Sequence, residues 1–396
     1  MSKSRRQQKR GEVIQLSLFD NSNPDYHQAG GTGARKDTGV ELLSQLERQR
    51  VLTGNLLESV MDYGNLHKAY QQVYKNGGKG GVDGMEVGEL GMWLQKNVRE
   101  IREEVLTERY RPEAVKKVMI PKPNGGERML GIPTVKDRLL QQSIHQVLNR
   151  YYDPLFSESS FGFRPGRSAH QAIEQACVYV KSGKEWVVDI DLEKFFDKVN
   201  HDRLMQRLSK GIGDKRLLRL IKTYLRAGIM TDGLVEQRTA GTPQGSPLSP
   251  LLSNIVLDKL DKELEKRGHE FCRYADDCNI YVNSKRAGER VMESLINYIE
   301  QKLKLKVNRK KSGVKHCTQV KFLGYTILPG GDVRVSDVSI KRLKDKIREV
   351  TKRNRGVKFE QVIKELNTVI RGWANYFHLA NRWLSTIRDI DGWLRR

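Results

Sequence analysis

The stretch FCRYADDCNIYV, residues 271–282, is where the freedom of this chain is narrowest. Apolar and aromatic residues lead up to the adjacent pair Asp276–Asp277 and away from it again, which favours two short strands turning back on each other. Like charges side by side in such a setting repel each other and lose hydration, so something must reward them. A second pair of acids lies upstream in EWVVDIDLEKFF, residues 185–196. Asp189 and Asp191 alternate there with Val188, Ile190 and Leu192, so both sit on one face of a strand. Either pair alone reads as a solvated turn. With the hairpin tip packed beside the first strand, three carboxylates converge, and the stable reason for that is a divalent cation. Oxygen-only ligands point to Mg2+ or Mn2+ rather than zinc. Two such ions make a site for in-line phosphoryl transfer, one activating the attacking hydroxyl and the other steadying a leaving pyrophosphate.

Charge says what such a site would work on. The 396 residues carry 71 Lys+Arg against 48 Asp+Glu, a formal net charge of +23, which predicts a polyanionic partner. No apolar run is long enough to span a bilayer, and the basic start MSKSRRQQKRGEVIQ lacks the apolar core of a signal peptide. Nucleic acid is therefore favoured over a membrane surface, and the cytoplasm is the expected location. Cys177, Cys272, Cys278 and Cys317 form no CxxC pair, so zinc ribbons and redox motifs are unsupported.

Along the chain, residues 1–40 are polar and glycine-rich and read as poorly ordered. Helical spacing follows through residues 41–76 and breaks at GGKGGVDG, residues 77–84. That loop has no Gly-Lys-Ser/Thr to make a phosphate cradle and reads as a turn. VKKVMIPKPNGGERMLGIP, residues 115–133, alternates on both arms about Asn-Gly-Gly, the pattern of a β-hairpin. VKDRLLQQSIHQVLNRYYDPLF is helical up to Pro154, GSPLSPLLSNIVLDKLDKELEKRG passes from loop to helix, and VKFLGYTIL is a short strand. From residue 336 the text becomes basic and helical. Leu343, Ile347 and Val350 share a face, and eight Lys/Arg fall within 341–355. The fold expected is mixed α/β followed by a helical, basic tail.

Taken together, DIDLEKFFDKVNH, GTPQGSPLSPLLSN and YADD resemble the reverse transcriptases that bacterial group II introns encode. The resemblance runs over about residues 55–385. It includes the approximate entry text DYGNLHKAY before GGVDGM, then IPKPNGGERMLGIPTVKDRLLQQ, FGFRPGRSAHQAI, LKLKVNRKKS, FLGY and LNTVIRGWANYF, the last resembling a thumb or maturase segment. It implies an α/β right-hand polymerase, with fingers and palm around an antiparallel palm sheet and an all-α thumb. The expected divisions are a basic N-terminal segment, 1–40; a helical extension of the fingers, 41–114; fingers and palm, 115–330; and thumb, 331–396.

The resemblance also implies roles. The metal-binding Asp of the first strand lies five residues before an aromatic facing the sugar; counting back from Phe196 gives Asp191, with the Leu192 carbonyl as an extra ligand. Asp276 and Asp277 complete the set for two Mg2+ ions, or Mn2+. Asp189 becomes a neighbour that a Lys or Arg could pair with. Phe196 would block a ribose 2′-hydroxyl, so dNTPs are preferred; a core aromatic is the plain alternative. Lys122, Arg128 and Arg138 match cations that hold the triphosphate, and Gln244 lines the nucleotide pocket. Ser246 stands where the family often has a second Gly. Lys311, with Lys310 as its rival, would protonate the departing pyrophosphate. Phe322, Leu323, Gly324 and Tyr325 resemble the grip on the primer end, and Arg164 would touch template or phosphate. Trp373, Tyr376 and Phe377 read as thumb core rather than stacking platforms.

The implied activity is RNA-directed DNA synthesis on an RNA template from a DNA primer and dNTPs, with binding of group II intron RNA to assist splicing. Two other readings compete: a reverse transcriptase of a defence or diversity-generating system, and a splicing-only RNA-binding maturase. The segment IRGWANYF favours the intron reading over the first, and the intact acids disfavour the second. No His/Asn/Cys cluster of the HNH endonuclease kind is present, so target-site cleavage is expected to fall to another protein or segment.

Overall fold

The computed structural model describes residues 54–121, 127–231, 234–236, 240–242, 245–381 and 383–394. The expected disordered start and the first part of the helical stretch, residues 1–53, lie outside the described residues.

On the N-terminal side are α1 (Leu56–Val60), α2 (Tyr63–Asn76) and α3 (Leu90–Leu106). The Asp62 carboxylate accepts the Asn65 N–H and caps α2, so the helical stretch is interrupted between α1 and α2. β1 (Val115–Pro121) and β2 (Glu127–Ile132) pair antiparallel from Lys116↔Ile132 to Pro121↔Glu127, as the alternation predicts; the tip, 122–126, is outside the described residues. α4 (Val135–Tyr152) follows and gives way to a short 3-10 turn containing Pro154. Ala69, Val73, Leu90, Leu94, Val135 and Leu139 lock α2, α3 and α4 together.

The middle of the chain runs through α5 (Ala169–Lys181), β3 (Trp186–Ile190), α6 (Phe195–Lys198), α7 (His201–Gly211), α8 (Lys215–Arg226), β4 (Ile229–Thr231), β5 (Leu234–Glu236) and α9 (Ser249–Lys266). It continues with β6 (Glu270–Tyr274), β7 (Asp277–Val282), α10 (Lys285–Tyr298) and β8 (Gly313–His316). β4 and β5 extend the first hairpin into a sheet of order β2-β1-β4-β5, with β1 and β4 parallel.

The second sheet has the order β6-β7-β3-β8, and every neighbouring pair is antiparallel. Its two faces pack differently. Val188, Ile190, Phe271, Cys278, Ile280 and Val282 join the large core with α4, α7, α8 and α9. Val187, Cys272 and Tyr281 face the other way, onto Ala172, Ile173, Ala176 and Val180 of α5. Burial on both faces is why these strands read as nearly continuous apolar runs.

β9 (Tyr325–Ile327) and β10 (Val333–Val335) form a small hairpin, and α11 (Asp337–Val350), α12 (Phe359–Phe377) and α13 (Trp383–Leu394) complete the tail. α11 starts after its N-cap Ser336, five residues past the expected division at 331, and β10 lies between the two. Leu343 and Ile347 pack against Ile390, Leu366, Val369 and Trp373, on the face that the spacing predicts.

Candidate active site

Because side chains alternate along a strand, the face that presents Val187 and Tyr281 to α5 also carries Asp189 on β3 and Asp277 and Asn279 on β7. Asp189 pairs in register with Asn279, and Ile190 with Cys278. One residue beyond that last pair, Asp191 comes level with Asp277. The segment Lys306–Ser312 holds Asp191 by its backbone: its N–H donates to Ser312 Oγ at 2.9 Å, and its carbonyl accepts the Asn308 N–H at 2.9 Å. Leu192 bridges to Val307 in the same segment.

The acid pair sits at the tip of the β6–β7 hairpin, as the sequence predicts. Tyr274 pairs with Asp277, leaving Ala275 and Asp276 as a two-residue turn, with Ala275 left-handed at φ +58°. Asp191 and Asp276 are half-buried, and Asp277 is exposed. Although Asp277 is exposed, the surrounding chain strips much of its hydration. With repulsion from Asp276, Asp189 and Asp191, this pushes its carboxyl up to about 6, against a downward pull from Lys311. Asp276 is also raised, first by burial and then by Asp191, while Arg128 and Lys311 oppose the shift. Asp189 is raised by burial and by Asp191, against Lys315.

Lysines stand against the first strand's acids: Lys311 Nζ lies 3.5 Å from Asp191 Oδ2, and Lys315 Nζ lies 3.7 Å from Asp189 Oδ2. Among the described residues, no three His, Cys, Asp or Glu side chains already close around one point as a metal cage. The donor set nevertheless suits a hard cation, being all carboxylate and under mutual repulsion that a divalent ion would relieve. A cation bound there would compete with Lys311 for Asp191.

The other predicted residues divide three ways. Arg128 is exposed on β2 and within electrostatic reach of Asp276. Phe196 is half-buried, edge-on to Phe195 with ring centroids 5.3 Å apart, and its carbonyl accepts the Thr242 N–H at 2.7 Å. Lys122 and Gln244 are outside the described residues.

Arg138 and Arg164 need correction. Arg138 is 8% exposed and donates to the carbonyls of Gly77 at 3.1 Å and Lys79 at 2.7 Å, so it braces the glycine-rich loop instead of facing a triphosphate. Arg164, also 8% exposed, donates to Asp153 Oδ1, the Asp153 carbonyl and the carbonyls of Ser157 and Ser160. A guanidinium committed in this way has little left for a template phosphate.

FLGY is a tight turn: Phe322 and Tyr325 exchange both backbone hydrogen bonds at 2.9 Å around Leu323 (φ +50°) and Gly324 (φ +88°). A side chain at 324 would strain that φ and press on Phe377 at 3.1 Å, so glycine belongs there. Tyr376 Oη donates to the Leu323 carbonyl at 2.9 Å, and the Tyr325 hydroxyl donates to the Tyr376 carbonyl. Trp373, Tyr376 and Phe377 pack against Tyr325 and Trp383, which makes them core, as expected.

Sequence reasoning missed Arg273, Asp261, Asn254, Ser160 and Gly162, which surround the hairpin tip from behind. The one signal was an arginine inside the apolar strand FCRY, costly to bury without partners.

Residues 120–327 match the family described as reverse transcriptase (RNA-dependent DNA polymerase). The chain belongs to the reverse transcriptase family. Residues 340–396 of this reverse transcriptase match the group II intron maturase-specific domain. It is 31% identical over 287 residues to Protein YkfC of Escherichia coli, covering 63% of this chain and 75% of that protein. It is 28% identical to the group II intron-encoded protein LtrA of Lactococcus lactis, covering 80% of this chain and 69% of LtrA. Among solved structures, a chain of a partial Cas6-RT-Cas1–Cas2 complex aligns at 26% identity and a TM-score of 0.40, over 63% of this chain and 43% of that one. No helix among the described residues is long and apolar enough to cross a membrane.

Proposed function

We propose that this group II intron-type, RNA-directed DNA polymerase extends a DNA primer on an RNA template through Asp191, Asp276 and Asp277. The observation that carries the reading is the β3–β7 register, which brings Asp191 level with Asp277 beside the Asp276 turn. Two Mg2+ ions held by these carboxylates and the Leu192 carbonyl would supply activation of the primer 3′-hydroxyl and neutralisation of the leaving pyrophosphate, with Mn2+ as a substitute.

The chain's own groups do the rest. Lys311, beside Asp191, delivers a proton to the pyrophosphate from Nζ. Arg128 meets the triphosphate's negative charge, and Lys122 and Gln244 join it in the nucleotide pocket. Phe196 stands against the sugar and disfavours a ribose 2′-hydroxyl. FLGY holds the primer end while the basic face of α11 follows the duplex backbone. Assistance to splicing, through binding of intron RNA by the tail, is supported by the match to the maturase domain. Template RNA, primer and dNTPs all belong to the bacterial cytoplasm, where we place the enzyme.

The test is extension of oligo(dT) on poly(rA) with dTTP and Mg2+, run beside rUTP. Wild type extends with dTTP and strongly prefers it to rUTP, and Asp276→Ala extends with neither. A wild-type protein that promotes splicing but incorporates no dTTP would instead support the splicing-only reading.

A further inference from the structure

We infer that Arg273 is the positioning residue of the catalytic turn, a buried guanidinium that fixes the Ala275–Asp276 peptide from behind. The inference rests on the reading of Asp276 and Asp277 as metal-binding acids. Arg273 lies on β6, and none of it reaches solvent. It forms a bidentate pair with Asp261 of α9, at 2.7 and 2.5 Å, and both side chains are 0% exposed. One η nitrogen donates to the Ala275 carbonyl at 2.8 Å and to Asn254 Oδ1 at 3.0 Å; the other also donates to Ser160 Oγ at 2.7 Å. An arginine has five N–H donors in a rigid fork, and here each has an acceptor.

A buried ion pair is a poor source of net stability, because desolvation offsets most of the attraction. What it does supply is geometry. The carbonyl that Arg273 holds belongs to the peptide joining Ala275 to Asp276. Ala275 is left-handed, a conformation that a residue with a Cβ adopts only when its surroundings impose it. Turning that peptide would re-aim Asp276 and the start of β7.

The opposite side of the turn is fixed by the loop before α5. Arg273 N–H donates to the Ser159 carbonyl at 2.8 Å, and Phe161 N–H donates to the Arg273 carbonyl at 2.9 Å. Asn254 Nδ2 donates to the Gly162 carbonyl at 2.9 Å. A Cβ at Gly162 would lie 2.3 Å from the Ala275 nitrogen, a distance that no side chain could occupy without moving the turn. Helix α9, the loop and β6 thus converge on the turn through its two successive peptides, Gly162 against Tyr274–Ala275 and Arg273 on Ala275–Asp276, and Arg273 joins all three elements.

Two variants perturb the turn by different routes. Arg273→Lys keeps a charge beside Asp261 but has three donors on one nitrogen in place of five on a fork, so it cannot serve Asp261, Asn254, Ala275 and Ser160 together and the turn loses its fixed geometry. Gly162→Ala leaves the ion pair intact and crowds the turn. The full-length protein is titrated with Mn2+ alone, free Mn2+ being read by electron paramagnetic resonance, and Mg2+ dependence is then measured in primer extension. Each folded variant should bind Mn2+ about tenfold more weakly or worse, and require correspondingly more Mg2+, with affinity for the primer–template unchanged. Leu343→Ala, in the helical tail, should lower the melting temperature and leave Mn2+ affinity at the wild-type value. Wild-type Mn2+ affinity in both folded variants overturns the inference; if Arg273→Lys does not fold, Gly162→Ala decides alone. Wild type that binds Mn2+ but extends no primer overturns the polymerase mechanism and leaves the positioning role standing on the Mn2+ data.

Discussion

Asp277 is the residue in which the electrostatics of the cleft have the most to give up. Its folded-state carboxyl titrates near 6, above the about 3.9 of an unfolded aspartate. A raised carboxylate favours the fold fully below the unfolded value, and that contribution disappears as pH climbs through about 6. Without divalent ions, wild type should therefore lose melting temperature between about pH 4 and 7 relative to Asp277→Asn. Adding Mg2+ at neutral pH should narrow the gap; parallel melting curves across that range would contradict it. Lys311→Ala should lower kcat by about a hundredfold, as loss of a general acid does, with template KM unchanged, in steady-state primer extension. The same drop in Lys310→Ala and not in Lys311→Ala would assign the proton to the neighbour. Carboxylates set in apolar strands are costly, which is why Asp191, Asp276 and Asp277 stand out in the sequence as candidates. Arg138 and Arg164 were not legible, because a cation's letter says nothing about whether its donors meet solvent or its own chain's carbonyls. Arg273 was hidden by the same ambiguity.

Among the elements, the β6–β7 hairpin and the β1–β2 hairpin could be read directly, since alternation and turn residues are local properties. β4 and β5 could not: each is three residues long, too short for a period to show, and they exist because β1 offers an edge. β10 was not legible for a related reason, as it is defined by pairing with β9 and not by its own composition. The joint between FLGY and α12 is the element-scale feature with the clearest energetic consequence. Phe377 is 6% exposed and sits against Gly324 and Tyr325. Phe377→Ala should cost about 3 kcal/mol of unfolding free energy, measured by urea denaturation, and should loosen the hold on the primer end. A loss well under about 1 kcal/mol would mean that the joint relaxes and is not a packed core.

For the whole molecule, a net charge of +23 predicts a strong electrostatic share in its affinity for nucleic acid. Affinity for an RNA–DNA duplex should fall about a thousandfold between roughly 50 and 200 mM salt if about six phosphates are neutralised, as read by fluorescence anisotropy. A flat response would contradict backbone recognition. The order of hairpin, acidic strand, acidic turn and basic helical tail was legible along the chain, while the meeting of its parts was set by packing between residues far apart in sequence. Mn2+ anomalous diffraction from crystals of the protein with primer–template and a non-reactive dNTP reads that meeting in one measurement. Mn2+ peaks should be bounded by the carboxylates of Asp191, Asp276 and Asp277, next to the nucleotide's phosphates. Peaks elsewhere, or density with Asp191 still on Lys311 and no metal among the three acids, would contradict it.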